Sequence, residues 1–488
     1  MATVCDLARH YLEYFGKPGV ILSITVIVIP VLFGLFTDDV RGSSKRTSRI
    51  PGCLRLGLKG HSNLENQYDQ PAKQKSSGPR IKALFTYPIK SCRGVELAAS
   101  EVQSTGLKYD RLFTFAQLTS QLKEGKQKTG EVSEVVEDWE HQWRFITERE
   151  FPRLALLQTE LWLPDPRNKP KLPVYEETGR SRLNVSSAQP RTRSRSRAAT
   201  LEMERGRKNS TSPEVSSWAA NGGCLIVRFP FEPDFNPFGL RTQTVTLRLP
   251  LMPTTQRREA KHYERESLVI WKDRPLALNV TNEIDPGALA KLRYFLGVSN
   301  PLGLFRVDEH DLRSLTRSLP QDAPESGFHV GFADAFPTNL MGLASVRATD
   351  GQLPEEADAK GKLDARRFRA NIYVSGTEPF EEDTWKKIIL GRCLGQGQGG
   401  LYSDDAEYHV ACRTARCKLP NVDPKTGEKD KNEPYNTLGR TRNVDTGASP
   451  NPCLGMQMIP RFDMGLVKVG DEIEVLETGE HCYEKMFK

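Results

Sequence analysis

A chain of 488 residues exceeds the ordinary size of one domain and predicts two folded domains plus irregular material. Its 38% hydrophobic content supports a packed core, while 32 prolines and a mean hydropathy of −0.52 predict sizeable unfolded insertions. The net charge of +7 is confined to residues 166–214, where twelve Arg/Lys face five Glu, so no folded domain needs a nucleic-acid partner to account for it. Nine scattered cysteines, an odd number, exclude a regular disulfide scaffold and point to a reducing compartment.

In chain order, residues 1–18 form an N-terminal segment. Residues 19–36, GVILSITVIVIPVLFGLF, carry no charge and are mostly aliphatic. A bilayer core needs roughly 17–25 such residues as a helix, so the run predicts one transmembrane anchor over 19–37. Pro30 is tolerated in a spanning helix. A cleaved signal peptide is the alternative, opposed by the polar stretch before the run and the lack of a small-x-small site after it. Arg41, Lys45, Arg46 and Arg49 follow the span, whereas Asp6 and Glu13 offset Arg9 and Lys17 before it. The positive-inside tendency therefore places the C-terminal bulk in the cytosol.

Residues 38–79 read as a flexible linker. Order begins at Arg80, and alternation over IKALFTYPI, GVELAASEVQ and YDRLFTFAQL predicts consecutive strands. Residues 121–141 turn polar and acidic and read as a disordered insertion. RFITEREFPRLALLQTELWL resumes the strand pattern. Residues 164–220, with RTRSRSR at 191–197, read as a second disordered insertion. Strand-like runs return at 224–229, 243–249 and 267–273. DPGALAKLRYFLG (285–297) has helical spacing, with Asn282 and Asp285 as capping candidates. Two further helices are expected near 352–366 and at 379–389. Many short strands and few helices make the fold class mainly β with some α, barrel-like in architecture. The expected domains are a first β-barrel over 80–275 and a second over 276–480.

No dinucleotide fingerprint, phosphate-binding Gly-Lys loop, zinc-protease motif or hydrolase elbow is present. Distinctive chemistry lies in YPIKSC (87–92), YDR (109–111), RFRAN (367–371) and CRTARCKLPNVDPKTG (412–427). Cys412 and Cys417 are flanked by Arg413 and Arg416, and a positive field favours the thiolate that binds metals. Ordinary strand cysteines are the bland alternative, and a zinc site from His409, Cys412, Cys417 and Cys453 is a third. Lys90, Ser91, Arg111, Arg369 and Asn371 suit an anion or a polar heterocycle, although any one alone is more often a surface or capping residue.

These motifs together resemble the MOSC family, specifically its mitochondrial amidoxime-reducing branch. YPIKSCRGVEL and GLKYDRLF resemble its N-terminal β-barrel signature. FADAFPTNLMGLASV (332–346), RRFRANIYVSG, PFEEDTWKKIILG, ARCKLPNVDPKTG and GLVKVGDEIEVLE (465–477) resemble successive parts of its MOSC domain. The resemblance implies a molybdenum cofactor (molybdenum–molybdopterin). Cys417 falls at the metal-ligating, catalytic position, and Lys90, Ser91, Arg111, Ser345, Arg369, Asn371 and Arg416 at positions that hold the molybdopterin. A soft thiolate suits such a metal. The family's membrane anchor is matched by residues 19–36, and the mitochondrial outer membrane is the location it implies. Four residues separate Cys412 from Cys417 where animal members have two, and GQGQGG (395–400) has no counterpart.

The function implied is reduction of N-hydroxylated substrates with electrons from cytochrome b5 and its NADH-dependent reductase. The alternatives are a sulfur carrier or transferase and a non-catalytic membrane scaffold. Cofactor sulfurases place a pyridoxal-phosphate domain before their MOSC domain, and this chain shows no lysine-bearing signature for one.

Overall fold

The computed structural model describes residues 49–68, 78–126, 135–168, 217–234, 242–324, 327–394 and 402–485, and among these short strands far outnumber helices. The expected anchor at 19–37, the Ser-Arg stretch at 191–197 and GQGQGG lie outside the described residues. No helix among the described residues is long and apolar enough to cross a membrane. The chain divides into two units, Pro51–Phe229 with Val245–Lys488 and Met1–Ile50 with Pro230–Thr244. Of the second unit only residues 49–50, 230–234 and 242–244 are described.

The strands in chain order begin with β1 (Cys53–Leu56), β2 (Arg80–Thr86), β3 (Val95–Leu97), β4 (Ala99–Gln103), β5 (Gly106–Leu107), β6 (Phe113–Lys126) and β7 (Val135–Phe145). Then come β8 (Gln158–Pro164), β9 (Cys224–Phe231), β10 (Gln243–Pro250), β11 (Glu264–Val269), β12 (Leu276–Asn279), β13 (Leu302–Val307), β14 (Arg313–Leu315) and β15 (Phe328–Val330). The last are β16 (Thr338–Gly342), β17 (Ile372–Ser375), β18 (Trp385–Leu394), β19 (Tyr402–Ala415), β20 (Cys453–Pro460), β21 (Met464–Lys468) and β22 (Ile473–Thr478). Among the described residues four α-helices accompany them: α1 (Thr255–Ala260), α2 (Pro286–Leu296), α3 (Leu343–Gly351) and α4 (Tyr435–Thr441).

Five strands close a barrel in the order β11-β12-β13-β6-β7. Its interior packs Phe145, Leu268, Ile270, Phe305 and Phe332, as the alternating pattern of these strands requires. The largest sheet has eleven strands, ordered β3-β2-β17-β16-β20-β19-β18-β21-β4-β5 with β22 also on β18. One core of this sheet gathers Phe85, Tyr87, Met341, Phe368, Tyr373 and Leu438.

The mainly-β class stands, but the expected boundary at 275/276 does not separate these sheets. The barrel takes β12 and β13 from beyond it, and the large sheet takes β2 to β5 from before it. Strand pairing is non-local and leaves no mark at the point where the chain crosses between sheets.

Four further expectations are corrected. Within 121–141, residues 121–126 and 135–141 are strand, paired in continuous register from Ala116–Phe145 to Lys126–Val135. A polar composition suits a hairpin with a solvated face as well as it suits disorder. Within 38–79, residues 53–56 pair with β8, Leu64 is buried in the core, and the Gln67 amide donates to Leu363 O at 2.6 Å. Residues 379–389 form a 3-10 turn at Glu381–Thr384 and then the start of β18, between β19 and β22. Trp385 and Ile388 are buried there, so partners on both edges override the helical acidic start. Residues 352–364 are turns, with a 3-10 turn at Ala365–Phe368, and the nearest helix is α3. The helix expected at 285–297 is α2, capped by the Asp285 carboxylate, which accepts from Ala288 N at 3.1 Å. Asn282 instead donates to Lys261 O.

Candidate functional site

Sheet order brings four separate motifs to one place. Lys90 and Ser91 follow β2, Arg111 precedes β6, Arg369 and Asn371 precede β17, and Arg416 and Cys417 follow β19. All seven line one cavity of about 230 Å³, with Arg149, Trp271, Asp334, Phe336, Asn339, Phe368, Thr414 and Tyr483 among the other walls.

Each cation is fixed by chemistry of its own. The Lys90 ammonium donates to Asp334 Oδ1 at 2.5 Å and Phe332 O at 2.9 Å. Burial lowers its pKa to about 8 against the pull of Asp334. Arg111 pairs with Asp110 and donates to Asn371 Oδ1 and to Arg369 O, each at 3.2 Å. Its guanidinium lies 4.7 Å from the centroid of the Tyr87 ring, and that of Arg369 lies 4.4 Å from the same centroid. Arg416 gives Nε to Leu454 O at 2.8 Å and Nη1 to Phe368 O at 2.9 Å. Burial lowers its pKa to about 10. It therefore orders the loop next to Cys417 as well as contributing charge.

Backbone strain gathers here too. Ser91, Arg111, Trp271 and Arg369 have φ of 64°, 46°, 55° and 53°. A non-glycine residue held there costs on the order of 1–3 kcal/mol, and such residues concentrate at ligand clamps. In addition, the buried Arg369 Nη2 has no hydrogen-bond partner among the described residues. Five cations, three amides (Asn339, Asn371 and Gln457), one half-buried thiol and a buried donor left over are the donor set that an anionic, polar heterocycle with a thiolate-bonded metal requires. The residues fit such a group.

Ser345 is not with them. It is fully buried at the start of α3, its hydroxyl donating to Glu382 Oε2 at 2.9 Å and accepting from Phe380 N at 2.8 Å. Both capacities are used away from the cavity, so its expected role in holding a cofactor is corrected to one of fixing the loop before β18. The zinc alternative fails as well. Cys412 is 1% exposed and burial pushes its thiol well up, burial pushes Cys453 up to about 12, and His409 Nε2 faces the Ser318 carbonyl. Among the described residues no three His, Cys, Asp or Glu side chains are grouped to hold a metal. Cys412 is an ordinary strand cysteine.

Sequence reasoning missed Arg149, Trp271, Asp334, Asn339 and, behind the cavity, Glu148. The only available signals were the charge-dense TERE run and the FADAF motif. Glu148 is 4% exposed, with Oε2 3.1 Å from Arg369 Nη1. Burial pushes its carboxyl up from 4.5 to about 7 in spite of Arg369. Because the folded pKa lies above the unfolded one, the folded state binds the extra proton between these values, and stability falls as pH rises through that window. Urea unfolding at pH 4.5 and pH 8 is expected to show the stability difference between the parent and Glu148→Gln shifting by about 2 kcal/mol against the parent. A constant difference would place Glu148 in an ordinary ionised state.

Two family profiles match the chain, the MOSC N-terminal beta barrel domain over residues 78–222 and the MOSC domain over residues 328–474, together more than half of its length. Among curated proteins it is similar to mitochondrial amidoxime reducing component 2 of Rattus norvegicus, 30% identical over 33% of this chain and 43% of that protein. It is also similar to mitochondrial amidoxime-reducing component 1 of Homo sapiens, 27% identical over 30% of this chain and 39% of that one. A molybdenum cofactor sulfurase of Oryza sativa subsp. japonica is 29% identical over 30% of this chain and 17% of that protein. The matches to the two amidoxime-reducing proteins span about two fifths of their length.

Proposed function

From the premise that this chain belongs to the MOSC domain family, we propose that it is a molybdenum-cofactor oxidoreductase that removes oxygen from N-hydroxylated compounds. The convergence of Cys417 with Lys90, Arg111, Arg369 and Arg416 on one cavity carries this reading. When bound, a molybdenum–pterin group supplies the two-electron redox chemistry, and the protein supplies position and charge. Cys417 offers the thiolate ligand. Arg111 and Arg369, both braced on Tyr87 and the first also on the backbone carbonyl of the second, present cationic nitrogens to an anionic group. Asn371 and Asn339 fix the strands that carry those groups, and Asp334 keeps Lys90 in place. Phe336, Phe368 and Tyr483 wall the cavity.

The similarity to amidoxime-reducing proteins supports this substrate class, and with it electron delivery by cytochrome b5 and its NADH-dependent reductase. The relatives' names support a mitochondrial location. An anchor at residues 19–37, with the catalytic part facing the cytosol, is the arrangement their sequence suggests. The sulfurase similarity favours sulfur transfer as a second reading.

The full chain, produced where the cofactor is abundant, is expected to carry about one molybdenum per chain and to reduce benzamidoxime with NADH, cytochrome b5 and its reductase. Elemental analysis and benzamidine formation measure the two. Loaded protein that leaves the amidoxime untouched and carries a persulfide on Cys417 would replace the oxidoreductase reading with sulfur transfer.

A further inference from the structure

Beside the candidate metal cavity lies another, of about 330 Å³, walled by Arg144, Phe145, Thr147, Arg149, Trp271 and Lys272, with Glu150 at its rim. Arg149 and Trp271 belong to both cavities. The wall is aromatic, for the Phe145 and Trp271 rings meet edge to face at 5.1 Å. The Arg149 guanidinium lies 5.0 Å from the Trp271 centroid. Trp271 is held at φ 55°, a conformation costly for so bulky a residue, in the tight connection between β11 and β12. Its indole N–H donates to Asp334 Oδ1 at 3.3 Å, the same oxygen that takes the Lys90 ammonium. The strained indole is thus tied directly to the charge set of the neighbouring site. Three cations, Arg144, Arg149 and Lys272, surround this cavity against one carboxylate, Glu150.

The geometry points to this second cavity as the subsite for the organic body of the substrate, taking a flat aromatic group that bears an anionic substituent. The inference rests on the neighbouring cavity being the metal site. Flat rings gain by stacking and edge contacts with Trp271 and Phe145. The anionic substituent gains from the three surrounding cations. Because Arg149 and Trp271 line both cavities, a molecule held here lies next to Cys417's cavity. The volume is in the range of small-molecule sites.

The test uses the full chain and two probes of like shape and opposite charge, benzoate and benzamidine, titrated by calorimetry and ligand-observed NMR. Benzoate is expected to bind about tenfold more tightly than benzamidine. Trp271→Ala should weaken benzoate by about tenfold or more, whereas Trp271→Phe, which keeps a ring, should stay within about threefold. Lys272→Glu should abolish the preference for the anion. Benzoate binding indifferent to Trp271→Ala and Lys272→Glu, or a preference for benzamidine, would overturn the subsite. Molybdenum content measured on the same preparations separates the two claims. Protein that holds the metal but ignores both probes removes the subsite alone, and protein that binds benzoate at Trp271 but takes up no metal removes the oxidoreductase reading.

Discussion

Cys417→Ala should purify as a folded protein that has lost its molybdenum, with retention reduced by more than about a hundredfold. Outer-shell partners alone command roughly 10–100-fold in metal affinity, and a direct ligand commands more. The effect is specific to this cavity, because among the described residues Cys417 supplies the one sulfur in its lining. Cys92, Cys412 and Cys453 are buried, and desolvation pushes each thiol up, away from the ligating thiolate. Removing a half-buried thiol just past the end of β19 costs the fold within about 1 kcal/mol, so the melting temperature should hardly move. Cys417→Ser keeps the shape and replaces soft sulfur by hard oxygen, and it should lose the metal as well. Elemental analysis beside a thermal melt reads both effects. A variant that kept one molybdenum per chain would remove Cys417 as the ligand.

Asn371→Ala carries the largest expected cost to the fold. The side chain is 1% exposed. Its Oδ1 accepts from Asn339 N at 3.1 Å and Arg111 Nη1 at 3.2 Å, and its Nδ2 donates to Phe85 O at 3.1 Å. One amide therefore links β2, the start of β16 and the cavity's arginine. Truncation leaves a buried backbone donor and a buried carbonyl unpaired, at about 1–3 kcal/mol each. A loss of about 3 kcal/mol in urea unfolding is expected, together with weaker cofactor retention as Arg111 loses its brace. A loss below about 1 kcal/mol would mean that water or rearrangement satisfies these groups.

The site was legible in the sequence where its chemistry was packed into short motifs. YPIKSC, YDR, RFRAN and ARCK each place a cation beside a second functional group, and the structure brings all four together. Legibility ended where a role is decided by a distant partner. Ser345 lies within a matching motif, yet Glu382, far along the chain, claims its hydroxyl. Glu148, Arg149 and Trp271 have no local pattern, because their respective partners, Arg369, Trp271 and Asp334, each lie more than sixty residues away. The PFEEDTWKK run misled for a related reason. Acidic residues open a 3-10 turn as readily as a helix, and only the flanking strands make the following residues extended. The barrel class was evident from alternation, and the allocation of strands to sheets was not.

That allocation bears on how the protein is made. Lys90 and Arg111 leave the ribosome more than three hundred residues before Pro452 and Leu454, which pin the loop holding Cys417 through Arg416. The sheet beneath the cavity joins β2 and β17 from one side to β16 and β20 from the other, so no nascent fragment contains a finished pocket. Loading of any resident group must therefore wait until β20 has emerged, and a stop before it would leave cationic and thiol-bearing pieces with nothing to hold.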